Sequence, residues 1–241
     1  MKRWRDVAQS RDQAQARFPD LPPLLAQVLC NRKIADSTAA SDFLAGRVDT
    51  DDPFLLKGMN RAVPRLQRAI CRGERIAVYG DFDADGVTAT AVLVEALSSL
   101  GACVEPYIPD RVDEGYGLNL GALRKLYRRN VRLVVTVDCG VRSVREVEQA
   151  RRYLDVIITD HHHPAGELPI AQSVINPKQP GDTYPDQNLA GVGLAYKLAC
   201  GLVETGSFGA NPPLPDEEYL DLVALGTITD LAPLTGENRT L

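Results

Sequence analysis

The sequence predicts an α/β fold: a doubly wound, parallel five-stranded sheet flanked by helices, with a helical N-terminal extension. Three observations predict it. From Arg75 onward, short apolar runs alternate with segments of helical length, the runs are apolar on both of their alternating faces, and the residues that follow them are nearly all acids or histidines. Strands covered by helices on both sides lose the polar/apolar alternation of half-exposed strands, so continuous Val- and Ile-rich runs point to a buried parallel sheet. Alternation of strand and helix is the pattern of βαβ units, whose parallel strands need crossover connections.

In chain order, the first seventy residues read as polar and helical, with helices near 22–32, 37–46 and 60–72 broken by turn residues such as Asp51-Asp52-Pro53. They are read as an extension over residues 1–73, with the sheet domain over 74–241. The strand runs are IAVYG (76–80), VEPYIP (104–109), LVVTVD (133–138), VIIT (156–159) and SVIN (173–176). Segments 87–100, 118–129 and 141–152 have the length of crossover helices. After residue 189, AGVGLAYKLACGLVE and EEYLDLVALGTITDL read as two further helices. The sequence stops at Leu241 without a terminal cap or tail, which reads as a fragment of a longer chain.

With 241 residues and 44% hydrophobic content, the chain can bury the core of one large domain, or of one domain with a small appendage. No run approaches the roughly eighteen apolar residues of a membrane-spanning helix, and no signal-type stretch follows the basic N-terminus, so a cytoplasmic location is expected. Five widely spaced cysteines without a CxxC pair argue against a disulfide framework or a thiolate zinc site. A net charge of −5 disfavours a nucleic-acid binder, because Lys and Arg make phosphate contacts. The acids, however, cluster, and arginines gather over Arg61–Arg75 and Arg124–Arg132; such runs also read as solvated helix faces.

Ligands of open parallel sheets bind beyond the carboxyl ends of the strands. After IAVYG come Asp81, Asp83 and Asp85; after LVVTV comes Asp138; after VIIT come Asp160, His161, His162 and His163; and a late helix brings Asp230. Carboxylates gathered at one edge repel one another and lose hydration, so cations must neutralise them. Oxygen and imidazole donors without thiolate suit Mn²⁺ or Mg²⁺ better than zinc, and five or more ligands point to two ions. Two ions about 3.5–4 Å apart can acidify a water and clamp a phosphoryl group. Singly, DFDADG is also an ordinary strand-to-helix turn and Asp138 an ordinary helix-capping residue. The histidine run, which holds all three histidines of the chain, follows an acid able to orient a ring and favours a ligand role.

DFDADGVTAT, PDRVDEGYGLN, TVDCGV, TDHHHPAGELP and ALGTITDLAPL resemble, in order and spacing, the motifs of the RecJ branch of the DHH phosphoesterases, over about residues 75–241. The resemblance implies a DHH phosphoesterase fold and a two-metal phosphodiesterase using Mn²⁺ or Mg²⁺. It implies a 5′ to 3′ single-stranded-DNA exonuclease of DNA repair and recombination that releases mononucleotides. Metal ligands would be Asp81, Asp83, Asp85, Asp138, His161 and Asp230, with Asp138 bridging the ions. His162 would contact the scissile phosphate or protonate the leaving oxygen, Asp160 would support from behind, and Arg111 would face phosphate. Some relatives carry a histidine where this chain has Tyr79, so Asp81 would replace it or support the site. Gly115, Gly117, Gly191 and Gly193 would admit a nucleic-acid strand, or simply allow close packing. RecJ-type chains continue into a DHHA1 domain that has no counterpart in this sequence. Single-stranded DNA is the implied partner, with single-strand-binding protein a second.

Three alternatives accompany this reading. Asp83-Ala84-Asp85-Gly86-Val87 after a strand also resembles the nucleophile motif of haloacid-dehalogenase-like phosphatases, a chemistry that leaves the histidine run and Asp138 unused. A DHH phosphodiesterase of short oligonucleotides, cyclic dinucleotides or pyrophosphate would share the metal ligands. An inactive replication scaffold would have no need of the complete ligand set.

Overall fold

The computed structural model describes residues 11–46, 50–205 and 219–241. The chain divides into two units between Thr50 and Asp51. The first unit contains α1 (Arg11–Arg17), α2 (Pro23–Asn31) and α3 (Ser37–Ala45). A proline opens α2, where a missing N–H costs nothing. α3 begins where Asp36 accepts from the Ala39 N–H at 2.9 Å and ends at Gly46, whose φ of 65° is the left-handed conformation of a helix stop. Phe18, Ala26 and Leu29 form the centre of its small core.

The second unit contains α4 (Met59–Cys71), β1 (Arg75–Tyr79), α5 (Ala84–Ser99), β2 (Cys103–Tyr107), α6 (Leu120–Arg128), β3 (Val131–Thr136), α7 (Val144–Ala150), β4 (Asp155–Thr159), β5 (Ser173–Ile175), α8 (Gly191–Glu204), α9 (Leu220–Thr229) and α10 (Glu237–Thr240). Residues 217 and 218, expected to open α9, lie outside the described residues. The helix at 59–71 lies in the unit that begins at Asp51. Met59, Ala62, Val63 and Leu66 lie in the same buried cluster as the sheet, because this amphipathic stripe packs against α8 and β5.

All five strands are parallel, in the order β2-β1-β3-β4-β5. Ile76, Val78, Leu133 and Val135 face α4, α5 and α8, whereas Ala77, Tyr79 and Val134 face α6 and α7. This two-sided burial is what removed polar residues from the strand runs. β1 and β3 are neighbours, with Tyr79 opposite Thr136, although α5, β2 and α6 separate them in sequence. The winding direction therefore reverses between β1 and β3, and a crevice opens beyond their carboxyl ends. Among the described residues, no helix is long and apolar enough to cross a membrane.

Candidate metal centre

The residues leaving β1 form a tight turn in which each acid has a separate task. Asp83 caps α5, its side chain accepting from the Gly86 N–H at 2.9 Å. Asp81 accepts from the Phe82 N–H at 2.8 Å. Asp85, in the first turn of α5, is 1% exposed and reaches across to α8, accepting from Gly191 N–H at 2.7 Å and Val192 N–H at 2.8 Å. A carboxylate at a helix N-terminus satisfies free amides and meets the positive end of the helix dipole. Gly191 permits this approach: a Cβ there would lie 2.7 Å from the Asp138 Cβ and 2.9 Å from Asp85 Oδ2.

Asp138 follows β3 in the left-handed conformation, φ 59°, in a turn held by a hydrogen bond from Thr136 Oγ1 to the Cys139 carbonyl at 2.7 Å. It is 1% exposed, and its Oδ1 has no hydrogen-bond partner. His161 Nε2 lies 3.1 Å from that oxygen and 3.8 Å from Asp85 Oδ2, and it too is buried without a hydrogen-bond partner. On the other edge of the ring, His161 Nδ1 is 3.8 Å from Asp230 Oδ2, delivered by the C-terminal end of α9. Among the described residues, three donor sets have all their ligand atoms within 4.8 Å of one another: Asp81, Asp83 and Asp138; Asp138, His161 and His162; Asp85, His161 and Asp230. Asp138 is common to two sets, as is His161.

The electrostatics are those of a cation site. Burial and the carboxylates of Asp85 and Asp83 push the Asp138 carboxyl up to about 10, and burial raises Asp85 to about 6 against the opposing Val192 N–H and His161. Burial also raises Asp81 and lowers His161, favouring the neutral imidazole that can coordinate metal. Unpaired buried oxygen and nitrogen atoms are costly, and a cation between them removes the cost. The residues therefore fit a hard divalent ion.

His162 differs from its neighbour. Its Nδ1 lies 2.8 Å from Asp160 Oδ1, which also accepts the His162 backbone N–H at 3.0 Å, while Asp160 Oδ2 accepts from Val141 N–H at 2.8 Å. Asp160 thus fixes both the loop after β3 and the imidazole, so it is turn residue and orienting partner together. The hydrogen bond to Asp160 raises His162 above the ordinary imidazole value; although burial opposes it, Asp160 stays below the ordinary carboxylate value through that bond. Arg111 is exposed, with its guanidinium over the Phe82 ring at 4.8 Å, which sets it beside the first acidic turn. Tyr79 lies in the opposite core, stacked on Tyr107, and donates to the Gly117 carbonyl at 3.0 Å. It anchors the glycine loop and belongs to none of the three donor sets.

Several participants had no mark in the sequence. Tyr116 OH lies 3.4 Å from His162 Nδ1, Asn176 Nδ2 donates to the His162 carbonyl at 2.8 Å, and Lys178 feels the charges of Asp230 and Asp160. The Gly191 amide was equally hidden, since the AGVG run marks a helix start without indicating what its N–H groups bind.

The DHH family, N-terminal domain, matches residues 75–227. The chain belongs to the DHH family. The match takes in the first acidic turn, Asp138 and the histidine run. Among relatives, this DHH-family chain is 46% identical to the single-stranded-DNA-specific exonuclease RecJ of Bacillus subtilis, over 98% of this chain and 30% of the relative. It is 40% identical to the corresponding protein of Escherichia coli, over 92% of this chain and 39% of the relative. Among solved structures, RecJ of Thermus thermophilus in complex with Mn²⁺ superposes with a TM-score of 0.75 at 33% identity, covering 95% of this chain and 32% of that one. An exonuclease RecJ bound to manganese gives a TM-score of 0.68 at 40% identity, covering 76% of this chain and 46% of that one. The chain therefore spans about a third to just under half of the length of these proteins.

Proposed function

We propose that this chain carries the hydrolytic centre of a divalent-metal-dependent, single-stranded-DNA exonuclease that acts 5′ to 3′ and releases mononucleotides in DNA repair and recombination. The observation that carries this reading is the Asp138 carboxylate, which is buried, without a hydrogen-bond partner at Oδ1, and shared by two donor sets. The relatives named as single-stranded-DNA-specific exonucleases support the substrate, and the Mn²⁺-bound structures of similar proteins support the ions. On such a substrate the chain would meet single-strand-binding protein, in the cytoplasm.

In this reading Asp81, Asp83, Asp85, Asp138, His161 and Asp230 hold two ions, which when bound would supply Lewis acidity toward the phosphoryl oxygens and lower the pKa of water. The chain's own groups do the remainder. His162, oriented by Asp160 and raised above the ordinary imidazole value by that hydrogen bond, donates to a non-bridging phosphate oxygen or to the leaving oxygen. Arg111 offers a planar, two-pronged contact to a neighbouring phosphate. The α8 N-terminus holds both oxygens of the Asp85 carboxylate and so fixes its direction.

The test is release of nucleotides from 5′-labelled single-stranded DNA with Mn²⁺, compared with chelator, duplex, a dinucleotide and the His161→Ala variant. Metal-dependent release from the long single strand, abolished in His161→Ala, is expected. Cleavage of the dinucleotide alone would replace this reading with a small-substrate phosphodiesterase.

A further inference from the structure

We infer that the end of the sheet opposite the acidic cluster holds a second binding site, for the phosphate of a nucleotide. A cavity of about 490 Å³ opens there, beside the N-terminal ends of β1, β3 and β4. Six guanidinium groups line it, from Arg65, Arg68, Arg72, Arg132, Arg151 and Arg152, against two carboxylates, Glu74 and Asp155. Arg65 engages both carboxylates, with Nη2 2.7 Å from Glu74 Oε2 and Nε 2.7 Å from Asp155 Oδ2. Arg132 stacks over the Tyr127 ring at 4.9 Å. Arg68, Arg72, Arg151 and Arg152 are exposed, and among the described residues none has a carboxylate within 4.0 Å. In a chain whose net charge is −5, six guanidiniums against two carboxylates make this a local excess of positive charge.

Two further donors lie buried within the wall of the cavity. Arg65 is 7% exposed, and its Nη1 has no hydrogen-bond partner; the Tyr153 hydroxyl, on another lining residue, is also buried without one. A guanidinium nitrogen can only donate, and a hydroxyl that lacks a partner has a proton to give. The exposed guanidiniums of Arg68, Arg72, Arg151 and Arg152 offer donors to an acceptor of high negative charge, and phosphate meets Arg with paired, charge-assisted hydrogen bonds. The volume accommodates a nucleotide-sized ligand.

The site is separate from the acidic centre. The cavity residues Glu74, Arg132 and Asp155 stand at the starts of their strands, and Asp81, Asp138 and Asp160 lie beyond the ends. β3 is six residues long, so about 20 Å lies between the two ends. A phosphate in the cavity is held there without being hydrolysed. Its source is a free nucleotide or a phosphate of a nucleic-acid strand.

Calorimetry of the 241-residue chain, stripped of metal ions and in chelator-free, low-salt buffer, tests the assignment with pyrophosphate as probe. The expected result is saturable binding that weakens about tenfold or more in the Arg68→Ala/Arg151→Ala/Arg152→Ala variant, with unchanged far-UV circular dichroism, and that Asp138→Asn leaves intact. Competition identifies the source, because whichever of a nucleoside diphosphate and a single-stranded oligonucleotide displaces pyrophosphate at lower concentration is the better ligand. Absence of pyrophosphate binding, equal binding by the triple variant, loss of binding in Asp138→Asn, or displacement by neither competitor would overturn the assignment.

Discussion

At the scale of the residue, Asp138 concentrates the cost of the site. Its carboxyl is raised from 3.8 to about 10 by burial and by the neighbouring acids. Ionisation is therefore disfavoured in the folded chain, and the ion-free fold loses stability as pH rises from the ordinary carboxylate value through the folded one. Asp138→Asn relieves that cost in a conformation that asparagine tolerates, so it should raise the melting temperature of the ion-free chain by a few degrees while removing the stabilisation by Mn²⁺. Thermal unfolding with and without Mn²⁺ decides; a lower ion-free melting temperature would contradict it. Asp160 acts in the opposite sense on His162, whose raised value means that the pair stabilises the fold below the ordinary imidazole value of 6.5 and ceases to as pH rises through the folded value. In Asp160→Asn, an NMR titration of the metal-free chain should move His162 down toward 6.5, and turnover should fall about 10–100-fold. The acids and histidines were legible because they follow apolar runs, and that position in a parallel sheet has one spatial meaning. The dual task of Asp160 was not, because it depends on the Val141 amide, which only the folded loops bring within 2.8 Å.

At the scale of the element, α8 is the support of the centre. Its first two amides bind Asp85, and Gly191 lets its backbone lie against Asp138. Gly191→Ala should destabilise the chain by about 1–3 kcal/mol and weaken ion binding, since the added methyl meets the Asp138 Cβ at 2.7 Å. Gly193→Ala meets only Leu189 Cδ2 at 3.4 Å and should be neutral or stabilising by up to about 1 kcal/mol. Urea unfolding of both variants tests the contrast, and equal effects would refute the packing argument. Farther along α8, the buried Lys197 pairs with Glu237 of α10. Lys197→Met leaves that carboxylate buried without a cation, held only by the Tyr184 hydroxyl and the Asp51 amide, so a loss of about 3 kcal/mol is expected in the same measurement. The strands and longer helices could be read from apolar periodicity. The four-residue α10 could not, being too short to carry a period, and the polar α1 stands before the first apolar run, where no strand-helix alternation marks it. The amphipathic stripe of α4 shows that a face is buried without showing against what.

At the scale of the molecule, every proposed ligand lies in the unit that begins at Asp51. A chain cut to residues 51–241 should therefore retain ion binding with unchanged affinity, measurable by calorimetry, and its loss would assign the first fifty residues a part in the site. The doubly wound order explains why sequence reading reached the centre at all: β1 and β3 are adjacent, so acids 53 positions apart in DFDADG and VDCG arrive at one crevice. Where the winding carries no rule, as with the contacts of Tyr116 and Lys178, nothing in the linear pattern announced them. The most direct test is to count Mn²⁺ ions in the protein, by anomalous diffraction or equilibrium titration, for the natural chain and for Asp138→Asn. Two ions per chain sharing the Asp138 carboxylate, with binding reduced at both positions in the variant, is the expected result; a single ion, or two ions undisturbed by Asp138→Asn, would contradict it.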